Sequence, residues 1–211
     1  MQRSQSKAST NEISENTLSH LYETAIVIKS GVEEGNHKSV LFSSIDNREA
    51  TIESAVHISF LLTQLKKKVL LVNLDHHNTG CINEYLQTEK KATLISQLKN
   101  SAYISEAISR TQYENLDTIG IEAIDEDEFA TTVNQYDLKS KLHPLTNYYD
   151  LLIIVGPEKK HFNYYANVYE LSDSAITVVN SKNNDKDLLK KHIDKFKVFN
   201  IRSFGILRKD N

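Results

Sequence analysis

A chain of 211 residues is long enough for one α/β domain with a sizeable core, and its composition (39% hydrophobic, 8% aromatic, 25% charged, mean hydropathy −0.44) is that of an ordinary globular protein. A formal net charge of −3 gives no general argument for nucleic-acid binding, and one cysteine, Cys81, excludes an internal disulfide. No apolar run is long enough to cross a bilayer and the N-terminus lacks the apolar core of a signal peptide, so a cytoplasmic location is expected.

Residues 1–12 are polar and read as a disordered tail. Ser9 and Glu12 have capping-box spacing, and Ile13, Leu18, Leu21, Ala25 and Ile28 then fall on one helical face. A polar turn over Gly31–His37 leads to a short strand at Val40–Ser43. The loop Ser44–Thr51 follows, then a helix over Glu53–Leu65 and a continuous apolar run at Val69–Leu74 broken only by Asn73. A continuous run suits a strand covered on both faces, so strand, loop, helix and strand make a parallel βαβ unit. The loop lies where such units bind phosphate.

Further on, Ile82–Leu86, Thr93–Leu98 and Ile104–Ser109 read as short helices, and Leu116–Ile121 as a strand. The acidic Asp125–Glu128 opens a helix running to about Leu142, which Pro144 ends. Tyr149–Pro157 and Ala175–Asn180 are buried-strand patterns, Lys182–Phe196 is a charged amphipathic helix, and Phe204–Leu207 is a final strand. The fold class expected is a single, doubly wound α/β domain over residues 13–211, with a mostly parallel central sheet flanked by helices on both faces.

The stretch Val40–Asp75 resembles the first βαβ unit of the bacterial tyrosine autokinases of capsule and exopolysaccharide synthesis, which are deviant P-loop ATPases of the MinD/ParA type. The match runs without a gap through Gln64-Leu65-Lys66-Lys67-Lys68-Val69-Leu70-Leu71, and Tyr149–Pro157 resembles the family's second anchor strand. The resemblance extends over roughly Ser14 to Leu207. The phosphate-binding residues differ. Where the family has Gly-Glu-Gly-Lys-Ser-Thr, this chain has Arg48-Glu49-Ala50-Thr51-Ile52-Glu53. Glycines let backbone N–H groups approach phosphate, the lysine neutralises it, and the hydroxyl ligates Mg²⁺; Arg48, Ala50, Thr51 and Ile52 do not reproduce those roles in place. The family's Walker B aspartate falls at Val155, and its Asp-x-Asp becomes Asn73 and Asp75. The family's helical assembly motif would fall on Ser19, Tyr22 and Ala25, and no tyrosine cluster follows Leu207.

His76-His77 beside Asp75 reads as a surface loop more than a metal site, since no third ligand is evident. Lys66–Lys68 suits a helix C-terminus, and Cys81 reads as a small buried residue. Tyr148, Tyr149, His161, Phe162, Tyr164, Tyr165 and Tyr169 are candidates for a protein interface, because tyrosine is favoured at contacts. The resemblance with its altered site implies a pseudokinase or pseudo-ATPase without cofactor, metal or catalytic residues. It would dock on an inner-membrane polysaccharide co-polymerase or an active kinase paralogue, as a monomer or dimer, without nucleic acid or direct membrane insertion. Two alternatives stand beside it. One is an active ATPase or kinase in which Arg48 or Lys38 replaces the lysine and Asp75 holds the metal. The other is a MinD/ParA-like spatial regulator.

Overall fold

The apolar runs at Leu41, Leu70 and Ile153 become neighbouring strands because each can be buried on both faces at once. The structure is a computed structural model that describes residues 15–77, 79–88, 93–100, 103–157, 166–183 and 185–209. The expected tail at 1–12 lies outside the described residues, as do His161, Phe162, Tyr164 and Tyr165. The strands are β1 Ser39–Ser44, β2 Val69–Asn73, β3 Ile108–Arg110, β4 Leu116–Ile119, β5 Leu151–Val155, β6 Ser174–Asn180 and β7 Arg202–Lys209. The helices are α1 Glu15–Gly35, α2 Arg48–Gln64, α3 Cys81–Leu86, α4 Leu94–Asn100, α5 Glu126–Gln135, α6 Leu138–Leu142, α7 Ala166–Tyr169 and α8 Lys186–Val198.

One seven-stranded sheet has the order β3-β4-β2-β5-β1-β6-β7, and every pairing is parallel except β3 with β4. Alternation along each strand divides the core in two. Leu41, Leu70, Val72, Leu152 and Ile154 meet Leu98, Phe129 and Phe196 on one face. Val40, Phe42, Leu71, Ile153 and Val155 meet α1 and α2 on the other. Helix α2 has 11 buried residues among its 17, which explains an apolar surface wider than a single stripe.

Several boundaries move, each for a physical reason. Helix α1 continues through the expected turn at Gly31–His37. Gly31 is there for close packing, since an added Cβ would stand 2.7 Å from the Phe204 ring. Asn36 takes the left-handed position that ends the helix (φ 50°), and the His37 N–H donates to the Val32 carbonyl. Helix α2 begins at Arg48 instead of Glu53, because Asn47 caps it. Ile104–Ser109 forms a 3-10 turn over Ile104–Ala107 followed by the antiparallel strand β3. The helix expected from Asp125 to Leu142 is broken at Asp137 (φ 46°), whose side chain caps α6. Pro144 sits near the start of a 3-10 turn, where its missing N–H costs nothing. Asp185 caps α8, moving its start from Lys182 to Lys186.

Candidate functional site at the head of α2

The C-terminal ends of β1 and β2 deliver two loops to one place. β1 ends at Ser44, and three residues later Asn47 starts α2. The loop is closed by its own polar groups. Asn47 N–H donates to Ser44 Oγ at 2.8 Å, Ala50 N–H donates to Asn47 Oδ1 at 3.0 Å, and Thr51 Oγ1 donates to the Asn47 carbonyl at 2.7 Å. The backbone that a glycine-rich loop would wrap around phosphate is here wound into the first helical turn. Ala50, Thr51 and Ile52 are buried within it, and Val155 is buried at the end of β5 opposite Asn73.

Arg48 and Asp75 meet across this gap. Arg48 Nε stands 3.0 Å from Asp75 Oδ2, with the aspartate side chain fully buried and the arginine about a third exposed. A cation at a helix N-terminus opposes the helix dipole, so the buried carboxylate is what holds it there. Asp75 is oriented by its surroundings: its N–H donates to Asn73 Oδ1 at 2.9 Å, and Oδ1 accepts from the His77 N–H at 3.3 Å. Of the candidate residues, Arg48, Asn73, Asp75 and Val155 therefore converge. Lys38 does not, because it precedes β1 and so lies at the opposite end of the sheet from the loop. The Lys38 alternative is corrected on that ground.

His76 is buried, and the surface loop expected at His76-His77 is corrected for that residue. Its ring stacks on Phe129 at 4.9 Å and lies 4.1 Å from His77. Burial, with the neighbouring His77 and Arg48, pushes its pKa down to about 4, against the weaker pull of Glu126 and Asp125. Among the described residues no group of three or more His, Cys, Asp or Glu side chains could hold a metal ion. Cys81 is only partly buried, against the α1–α2 side of the core.

Three features of this end escaped the sequence reading. Asp46 ties the loop to the segment after β6: Oδ1 accepts from the Asn180 N–H at 3.0 Å and Oδ2 from Asn183 Nδ2 at 2.5 Å. Beneath the loop, Ser43 Oγ and His192 Nε2 are 3.0 Å apart and buried. Asn47 as a cap was legible, since Asn before Arg-Glu-Ala is a helix start signal. The other two join residues more than 130 positions apart and leave no local signature.

The expected tyrosine interface is corrected at two positions. Tyr149 is buried, and its hydroxyl donates to Asp117 Oδ2 at 2.7 Å; burial and that carboxylate push its pKa up. Tyr169 is buried and stacks on Phe199 at 5.6 Å; burial raises its hydroxyl pKa, opposed by a hydrogen bond with Ser43. Aromatic volume at the sheet margin is used for packing there. Tyr148 is exposed.

The family described as "AAA domain" matches residues 49–201. This chain belongs to the AAA-domain family. Among solved structures, the AAA-domain protein is similar to the chimerical protein CapA2B2 (TM-score 0.79, 18% identity, 96% of this chain and 88% of that one). It is also similar to the kinase domain of Escherichia coli tyrosine kinase ETK (TM-score 0.76, 11% identity, 90% and 75%) and to the Pyrococcus furiosus cell division ATPase MinD (TM-score 0.64, 20% identity, 80% and 70%). No curated protein matches the chain. The fold is thus the P-loop ATPase fold shared by bacterial tyrosine-kinase domains and MinD. The expectation that the protein is not an enzyme does not stand: the domains matched are a tyrosine kinase and an ATPase.

Proposed function

We propose that this AAA-domain protein is a subunit of a bacterial exopolysaccharide synthesis and export system, working at the inner membrane through contact with a polysaccharide co-polymerase or a kinase paralogue. The observation that carries this reading is an exposed apolar stripe on α1: Leu18, Tyr22 and Ile26 at helical spacing. Large apolar side chains gathered on one exposed helix face mark a contact surface. The likeness to CapA2B2 and to a tyrosine-kinase domain supports the choice of system. Among the described residues no helix is long and apolar enough to cross a membrane.

The test is co-purification with a polysaccharide co-polymerase and with a tyrosine-kinase paralogue from the same organism, using the parent protein and a Tyr22→Glu, Ile26→Glu variant. A complex lost in the variant supports the reading. No complex with either, or binding instead to a division or segregation protein, overturns it in favour of a spatial regulator.

One observation favours a second reading, a nucleotide site of non-standard type. The partly exposed Arg48 stands at the head of α2, where P-loop proteins hold phosphate, and could exchange Asp75 for a phosphate group. Calorimetric titration with ATP and ADP, with and without Mg²⁺, tests it. Micromolar binding that is weakened in Arg48→Ala supports it, and no heat at hundred-micromolar nucleotide removes it.

A further inference from the structure

Charge is distributed unevenly across the sheet. Residues 103–130, which form β3, β4 and the start of α5, carry eight Asp and Glu against one Arg. Residues 182–209, which form α8 and β7, carry nine Lys and Arg against three Asp, in a chain whose net charge is −3. β3 and β7 are the two edge strands, so the acidic and basic segments lie at opposite margins. Six strand spacings of about 4.8 Å set these margins about 29 Å apart. That is roughly three times the screening length of about 8–10 Å at physiological salt, so a surface in contact with the basic margin does not feel the acidic one.

The uncompensated part of this charge sits on α8. Asp185 is used to cap the helix, its Oδ1 accepting from the Leu188 N–H at 2.9 Å, and Asp194 Oδ1 accepts from Lys197 Nζ at 2.6 Å. Lys209 pairs with Glu53 on α2 and Arg202 lies over the Phe204 ring, both on the other side of the sheet, so neither adds to the α8 face. Lys182, Lys186, Lys190 and Lys191 are exposed and form no ion pair among the described residues. Against these four, the helix has one carboxylate that no cap or ion pair engages, Asp187. Arg208 Nη1 donates to the Asn183 carbonyl at 2.9 Å, which holds a further cation at the entry to α8. Near the other end Val198 is 74% exposed, three residues after Lys195 and seven after Lys191, on the same flank of the helix as both.

We infer that the exposed face of α8 rests on an anionic phospholipid surface, with Lys182, Lys186, Lys190 and Lys191 against the lipid phosphates and Val198 at the level of the headgroups. Each lysine brought to such a surface contributes about fivefold in affinity. Lysine suits this role, as a mobile point charge on an apolar stem that lies along the interface. Nucleic acid fits the face less well: among the described residues α8 carries no exposed aromatic ring to stack on a base. The contact is peripheral, and it orients the domain with the acidic margin turned away from the lipid. The inference rests on the reading of a protein that works at the inner membrane. Co-purification with a partner in detergent needs no lipid face, so the two fail separately.

The test is sedimentation of the full chain with vesicles of phosphatidylcholine and phosphatidylglycerol, compared with phosphatidylcholine alone, at about 0.15 M salt. The expected result is saturable binding to the anionic vesicles, absent on the neutral ones and lost at about 1 M salt. Lys190→Gln, Lys191→Gln lowers affinity about 25-fold, whereas Glu106→Gln, Glu114→Gln at the opposite margin leaves it within about twofold, with both variants melting like the parent. No binding to anionic vesicles, equal binding to both lipids, or a glutamate variant that shifts affinity as much as the lysine variant overturns the inference. So does salt-sensitive binding to duplex DNA by a protein that leaves vesicles unbound, which assigns the face to nucleic acid. Salt-sensitive polymers in light scattering, again with vesicles unbound, overturn it in favour of the acidic margin of another copy.

Discussion

Replacing Arg48 with leucine keeps the bulk of the side chain and removes its charge, leaving Asp75 buried beside the head of α2 without its ion-pair partner. Breaking a fully buried pair from one side costs about 3–5 kcal/mol. Arg48 is about a third exposed, so water reaches the vacated position and part of that cost is recovered. Removing a cation from a helix N-terminus also returns a few tenths of a kcal/mol. The expected destabilisation is therefore about 2 kcal/mol, equivalent to a fall in Tm of about 4–8 °C for a chain of this size. Urea denaturation and calorimetry measure it. The companion variant Arg48→Leu, Asp75→Asn removes the charge as well as its partner and should be more stable than Arg48→Leu alone. A single variant within 0.5 kcal/mol of the parent, or a double variant in which the two losses simply add, refutes the claim that this pair holds the head of α2.

Three further outcomes follow from buried groups. His76 has a pKa of about 4 in the fold against an ordinary 6.5, so the unfolded chain binds the extra proton between those values. Stability is then fully present above pH 6.5 and declines as pH falls towards 4; at pH 5 the loss is about 2 kcal/mol, and His76→Phe should flatten the slope of urea-midpoint stability between pH 7 and 5. Gly31→Ala places a methyl against the Phe204 ring and should cost about 1–2 kcal/mol after the gain in helix propensity, with Phe204→Leu restoring most of it; an unchanged urea midpoint would show that α1 and β7 can separate freely. Tyr149→Phe removes the bond to Asp117 and should cost about 1 kcal/mol in thermal unfolding while leaving partner binding unchanged, and a binding defect with unaltered stability would return Tyr149 to an interface.

Local pattern was enough wherever one short-range rule governed the outcome. Val69–Asn73 and Leu151–Val155 could be read as inner strands because unbroken apolar runs leave no face for solvent. The βαβ unit and the second anchor strand carried the family resemblance, and that resemblance led to the P-loop ATPase fold. Residues 48–52 could be read as departing from a glycine-lined phosphate loop, but the pattern did not show what replaces the loop. A cap at Asn47 lets the helix start early, and Asn47 and Ser44 satisfy donors that would otherwise turn to a ligand.

What remained was decided by partners far apart in the chain. Nothing local says that Arg48 reaches Asp75, that Asp46 holds the loop after β6, or that Ser43 lies against His192. Tyr148 and Tyr149 are adjacent and chemically identical, yet one is exposed and the other bonds to Asp117, because strand order sets β4 near the start of β5. The antiparallel β3 is too short to announce itself, and Phe204 and Leu207 share a face only through the bulge at Gly205. Periodicity reports which residues prefer burial. Strand order, register and the pairing of buried charges are settled only when the whole sheet is assembled, since a buried polar group is stable only beside the particular partner the fold brings to it.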